Sequence, residues 1–289
     1  MKPTESQSVY EITMKTVFAL LFVVSTAFAQ KALDTEEGLN GADRIRVNIN
    51  LGAVNMTLKR IDNASKAFKI HYEYQENEEV PVLNYEVRDN EGVFLFSNGK
   101  HDSHFPFFNF GEAKDSVDIE LANSVPLHLR VNFGVCDANV DLGGMEISQA
   151  TFATGVCSFN LNFSSPNKIN CHDLQIKTGV SSVKVENLAN ARASSVELNG
   201  GLGSMDIDFG GKLVRDCSVH VQTGLGSVNI SIPSGMNTEI TTPESFLTSV
   251  DVAGFYSQGG GVYRSNSTTG PELKIHVESA LGGVKIRKY

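Results

Sequence analysis

Val196-Glu197-Leu198-Asn199-Gly200-Gly201-Leu202-Gly203-Ser204-Met205-Asp206-Ile207 returns 23 residues later as Val219-His220-Val221-Gln222-Thr223-Gly224-Leu225-Gly226-Ser227-Val228-Asn229-Ile230. Both copies read as a strand, a glycine corner and a second strand. The corner residues Gly134, Gly155, Gly179, Gly201 and Gly224 follow one another at steps of 21, 24, 22 and 23 residues. Two outlying copies place Asn50 and Ala280 at the same position, which makes seven in all.

The columns of this alignment agree. A branched aliphatic follows the corner (Leu51, Val135, Val156, Val180, Leu202, Leu225, Leu281), and then a small residue (Gly52, Cys136, Cys157, Ser181, Gly203, Gly226, Gly282). Four and six residues past the corner the column is apolar, as in Phe159/Leu161 and Val183/Val185, with Asn160 or Lys184 between. Three and five residues before it the alternation recurs, as in Leu129/Val131 and Ile275/Val277. Period-two alternation on both sides of a bend predicts two half-buried strands per copy. Small residues at the bend fit either a positive φ or a close approach of neighbouring backbones.

A unit of this size cannot bury its own apolar face and must stack on its neighbours. Stacked strands stand about 4.8 Å apart, so equivalent columns become ladders. The fold is therefore read as all-β: a β-solenoid-like stack of strand–glycine corner–strand repeats about 22 residues long. An antiparallel sandwich of hairpins is the alternative, because period two does not fix strand direction.

Outside the repeats, residues 1–29 read as a signal peptide. Lys15, the apolar run Val17–Val24 and Ala27-Phe28-Ala29 match its basic, apolar and cleavage regions, with the start at Met1 or Met14. Residues 30–132 form an N-terminal β region with the first copy and an aromatic loop. Residues 133–289 form the repeat domain, with an insertion near 236–270. Residues 31–44, rich in Asp, Glu and Gly, read as an ordered-late or flexible lead-in. No later stretch is long and apolar enough for a membrane-spanning helix. The net charge of −9 argues against nucleic acid or an anionic membrane as partner.

Candidate chemistry is sparse. Cys136 and Cys157 occupy one column of successive copies, so stacking would bring them within disulfide range in an oxidising compartment. The other reading is two small residues tolerated at a tight corner. His101-Asp102-Ser103-His104 has metal-ligand types but no third and fourth ligand nearby, and reads as a solvated loop. Phe105, Phe107, Phe108 and Phe110 would either cap an open end of the core or form an exposed patch for a partner. Asp206 and Asp208 share a strand face without a repeated carboxylate pair. His220 and His276 fall on outward strand positions. No nucleophile elbow, phosphate loop or zinc-protease motif occurs, and no cofactor is expected.

Asn48-Ile49-Asn50-Leu51-Gly52, then Ser124-Val125-Pro126-Leu127-His128-Leu129, then the successive corners and the close Leu273–Ile286 resemble the bacterial toast-rack domains of unknown function. These are related in pattern to the C-terminal domains of LiaF-type cell-wall stress proteins and to candidate adhesin domains. The resemblance spans most of residues 45–289. It departs at the cysteines of two corners and at Ala280. It implies β-repeat architecture and a surface or envelope location, with no catalytic residues to carry over.

The expectation is a non-enzymatic protein, secreted or periplasmic/cell-surface after cleavage near Ala29, that presents a long surface to a protein or surface polysaccharide. A carbohydrate-active β-helix enzyme and an oligomerising structural module, with homo-oligomer contacts through the stack ends or the phenylalanine loop, are the alternatives.

Overall fold

The computed structural model describes residues 30–75, 80–98, 115–243 and 248–289 of the chain. Seven long strands follow the repeat: β2 (Arg44–Arg60), β7 (Leu127–Asp141), β8 (Ile147–Asn162), β9 (Cys171–Glu186), β10 (Ala193–Asp208), β11 (Cys217–Ile232) and β16 (Glu272–Lys288). They lie in that spatial order and every neighbouring pair is parallel. Parallel pairing selects the solenoid over the hairpin sandwich.

Each long strand is folded in two at its corner. Phe152 and Phe159 lie seven residues apart in β8. In a straight strand they would be about 23 Å apart and on opposite faces. Their rings instead meet at 5.1 Å. The two legs of a strand thus face one another across the core, and the alternation slips by one residue at the bend. The buried columns are Leu174 and Ile176 on the first leg of β9, and Ser181, Val183 and Val185 on the second. The loops between rungs close the third side with Leu142, Met145, Phe163, Leu188 and Phe209, all buried. There the buried Asn167 accepts from the Ile147 N–H at 2.8 Å, and its amide donates to the carbonyls of Ile147 (2.8 Å), Ile169 (3.0 Å) and Ala191 (3.2 Å), tying adjacent rungs.

Close approach explains the corner glycines. A Cβ on Gly179 would stand 2.6 Å from the Gly155 carbonyl oxygen, and one on Gly201 would stand 2.5 Å from that of Gly179. Two columns further on, Gly203, Gly226 and Gly282 take φ of +135°, +147° and +140°, whereas Cys136, Cys157 and Ser181 fill the same column without a positive φ.

The ends depart from simple succession. β5 (Glu91–Ser97) and β6 (Asp115–Leu121) pair in parallel with the two legs of β2 and make one more rung outside it. β4 (Val82–Arg88), and then β3 (Lys66–Gln75) with β1 (Gln30–Gly38), add antiparallel edges. At the other end β12 (Asn237–Thr241) and β13 (Thr248–Ala253) form a rung outside β16, extended by β15 (Val262–Arg264) and β14 (Tyr256–Gly259).

Three expectations are corrected. The first copy turns at Gly52, not Asn50: β2 pairs Asn50 with Asn132 and Ala53 with Val135, and Leu51 is buried. A two-residue shift leaves every side chain on its face, so period-two reasoning cannot detect it. Most of residues 31–44 are not a flexible lead-in. β1 is an edge strand, mostly exposed and therefore without a strong apolar alternation, held on β3 by Glu36–Lys66 (2.8 Å) and Asp34–His71 (2.7 Å). The insertion near 236–270 does not lie wholly outside the pattern, because β12 and β13 continue it as one further rung on β16.

Candidate binding face

The slip at each corner leaves two consecutive residues, the glycine and the aliphatic after it, on the outside of the bend. Ala53, Val135, Val156, Val180, Leu202, Leu225 and Leu281 therefore form an outward ladder. Val180, Leu202, Leu225 and Leu281 are 49%, 45%, 44% and 45% exposed. At one rung per about 4.8 Å, Val135 to Leu281 spans about 24 Å.

Two residues along, Ser158, Ser182, Ser204 and Ser227 make a furrow of small hydroxyls beside the ridge, with Ser182 and Ser204 Oγ 3.4 Å apart. Between the ridge and these serines runs a shallow groove of about 500 Å³. Beyond it stands a column of longer polar groups. Asn160 donates to Asn139 at 2.9 Å and Asn229 to Asp206 at 2.7 Å, so neighbouring amides and carboxylates fix each other's orientation. The face thus combines an aliphatic ridge, a hydroxyl furrow and an ordered polar ladder, repeated in register.

Cys136 and Cys157 are directly opposed, with Cα atoms 4.6 Å apart, and are joined as a disulfide on the inner side of the corner. Cys171 and Cys217 are free and buried, and burial pushes both thiols up to about 12. Asp206 and Asp208 do share a face but are engaged separately. Asp208 accepts from Tyr289 Oη at 2.7 Å and from the Gly210 N–H at 2.9 Å, which holds the turn after β10. His220 and His276 stack face to face, with centroids 5.2 Å apart on the outer face of the first leg, and His276 Nε2 lies 2.8 Å from Glu278 Oε1. The signal-peptide residues, His101, Asp102, His104, Phe105, Phe107, Phe108 and Phe110 lie outside the described residues. Among the described residues no group of three or more His, Cys, Asp or Glu could hold a metal ion, and no helix is long and apolar enough to cross a membrane.

These features define a class, the all-β, solenoid-like repeat proteins. More narrowly, residues 25–186 and again 171–231 match the family described as the N-terminal domain of toast_rack, DUF2154, and the chain belongs to that family. No curated protein matches it. A candidate cell adhesion protein from Clostridium sporogenes has a similar structure at 17% identity and a TM-score of 0.52, covering 90% of this chain and 100% of its own. A candidate adhesin from Bacteroides fragilis aligns at 12% identity, with 90% and 99% of the two chains covered and a TM-score of 0.30. A candidate lipid binding protein from Parabacteroides distasonis aligns at 12% identity, with 89% and 97% covered and a TM-score of 0.32.

Proposed function

We propose that this chain is a non-enzymatic, secreted or envelope-exposed binding module of adhesin type, which presents the ridge and furrow of its corner to a protein or surface polysaccharide. The observation that carries the reading is the half-exposed ladder Val180, Leu202, Leu225 and Leu281. A soluble sheet face ordinarily turns its aliphatic columns inward, and a contiguous apolar stripe with a polar border marks a contact surface. The description of the Clostridium protein as a candidate adhesion protein fits this use. The sequence features of residues 15–29 supply the export route.

The ridge is favoured over the stack ends as the contact surface. The edge strand β1 carries Lys31, Asp34, Glu36 and Glu37, and β4 carries Glu86 and Arg88, the charged side chains by which sheet edges avoid pairing with other chains. That weighs against an oligomerising module that pairs through this end of the stack.

The test is retention of the chain on cell-wall fractions and glycans, with product analysis of the same mixtures. The double variant Leu202→Asn/Leu225→Asn is expected to lose retention while melting near the parent temperature. Undiminished retention would move the contact away from the ridge. Released reducing ends would overturn the non-enzymatic reading and direct attention to the Asp206 face.

A further inference from the structure

The outer face of the first legs carries a second feature, separate from the ridge. In the parallel register of β2 and β7, Arg46 pairs with His128 and Asn48 with Arg130. All four side chains point outward, at the corners of a rectangle of about 4.8 by 6.8 Å. They line a hollow of about 250 Å³. Its neighbours on β5 are Val93 and Leu95, and on β8 Gln149 and Thr151, so neither flanking strand adds a charge at these registers.

Arg46 and Arg130 stand on the diagonal of this rectangle, within reach of one another for side chains of this length, and their charge is only partly offset. Glu91 is 2.9 Å from Arg46 and also 4.0 Å from Arg44. Arg130 is exposed and has no carboxylate partner among the described residues. In a chain of net charge −9, this is a local concentration of donors around a concave surface. His128 reports the same field: burial, then Arg130 and Arg46, hold its ring below the ordinary histidine range, and Glu91 opposes them.

We propose that Arg46, Asn48, His128 and Arg130 form a binding site for one oxyanion group, a carboxylate or a sulfate- or phosphate-like anion. The two guanidinium groups approach it from opposite corners, the planar fork of arginine matching two oxygens at once. The Asn48 amide donates a neutral hydrogen bond. The His128 ring donates a further one when protonated, so the bound anion favours the imidazolium and affinity rises as pH falls. Asp173 and Glu197, on the same outer face two and three rungs further on, repel a polyanion laid along the stack. The site therefore takes a single anionic group.

The experiment is NMR titration of the folded chain with sodium sulfate and with glucuronate, following His128 Cε1–H, against sodium chloride at matched ionic strength and against glucose. Saturable shifts with either oxyanion are expected, at least threefold tighter at pH 5.5 than at pH 7.5, and weakened tenfold or more in Arg130→Gln. Sulfate alone would identify a tetrahedral free anion, whereas binding of glucuronate would identify a glycan carboxylate. A response that chloride reproduces at equal ionic strength, or an unchanged affinity in both Arg130→Gln and Arg46→Gln, would overturn the proposal. Thermal melts of the two variants separate loss of the site from loss of the fold.

Discussion

Gly226→Ala is the sharpest test of how the stack is held together. Gly226 has φ of +147°, and a Cβ there would stand 1.7 Å from the Gly203 carbonyl oxygen, in place of an ordinary contact of 3.4–4 Å. Holding an alanine in that backbone region costs about 1–3 kcal/mol. Moving the two carbonyl-facing strands apart also disturbs the ladder bonds around Leu202, Leu225 and Leu281, each contributing about 1 kcal/mol net. Together these give about 4 kcal/mol, a large part of a domain's total of about 5–15 kcal/mol. At about 2–4 °C per kcal/mol for a chain of this size, the melting temperature should fall by about 8–16 °C, read by circular dichroism. Gly283→Ala is the control. Its added Cβ meets nothing within 4 Å and its φ is not positive, so it should melt within about 1 kcal/mol of the parent. If Gly226→Ala melted within about 3 °C of the parent, the reasoning would fail. β11 would then be able to adopt the backbone that β9 uses at Ser181.

The Cys136–Cys157 disulfide closes a loop with a sequence separation of 21, worth about 3 kcal/mol by chain entropy; mild reduction should lower the melting temperature, and non-reducing peptide mapping should recover the linked pair. Cys171 and Cys217, buried with thiols pushed up to about 12, should resist a thiol reagent at pH 8 in the native state and react at the rate of rung opening. His71 is held above its ordinary range first by its hydrogen bond to Asp34 and then by Glu73, against desolvation. A raised histidine stabilises fully below its unfolded pKa and loses that contribution as pH rises through the folded value. Amide protection of β1, corrected for intrinsic exchange, should therefore be greater at pH 5.5 than at pH 8, and His71→Gln should abolish the difference.

Much of this architecture was legible from spacing alone. The apolar columns three residues before and four after the corner are seven apart, an odd number, so the alternation had to slip once between them. The same arithmetic places Gly201 and Leu202 outside. The ridge was therefore present in the sequence as a column of aliphatics that the core did not need, although hydrophobicity by itself marked Leu202 and Leu225 as interior. The corner of β2 was legible only to within two residues, because Asn50 and Gly52 share a face. β1 could not be read, since an exposed edge strand stabilised by Glu36–Lys66 and Asp34–His71 carries no apolar period. The cluster at Arg46, Asn48, His128 and Arg130 joins residues some eighty positions apart, and only the β2–β7 register brings them together.

The two ends of the stack solve one problem in the same way. β2 precedes the other long strands in sequence and β16 follows them, yet neither lies outermost. β5 and β6 cover β2, and β12 and β13 cover β16. A parallel stack cannot terminate by adding another identical rung, because each addition leaves a fresh unpaired edge. Here the covering rungs are split into two short strands, and the chain continues through antiparallel partners. These are β4, β3 and β1 at one end, with charged side chains on the edge strands β1 and β4, and β15 and β14 at the other. Every long strand consequently has a hydrogen-bonded neighbour on both sides. The ridge from Val135 to Leu281 stands wholly on such doubly paired rungs, which fixes its spacing at the spacing of the sheet. If the ridge is the contact surface proposed above, it selects partners by period as well as by chemistry, and a substitution that disturbs rung spacing at Gly226 should weaken binding there without touching Leu202 or Leu225.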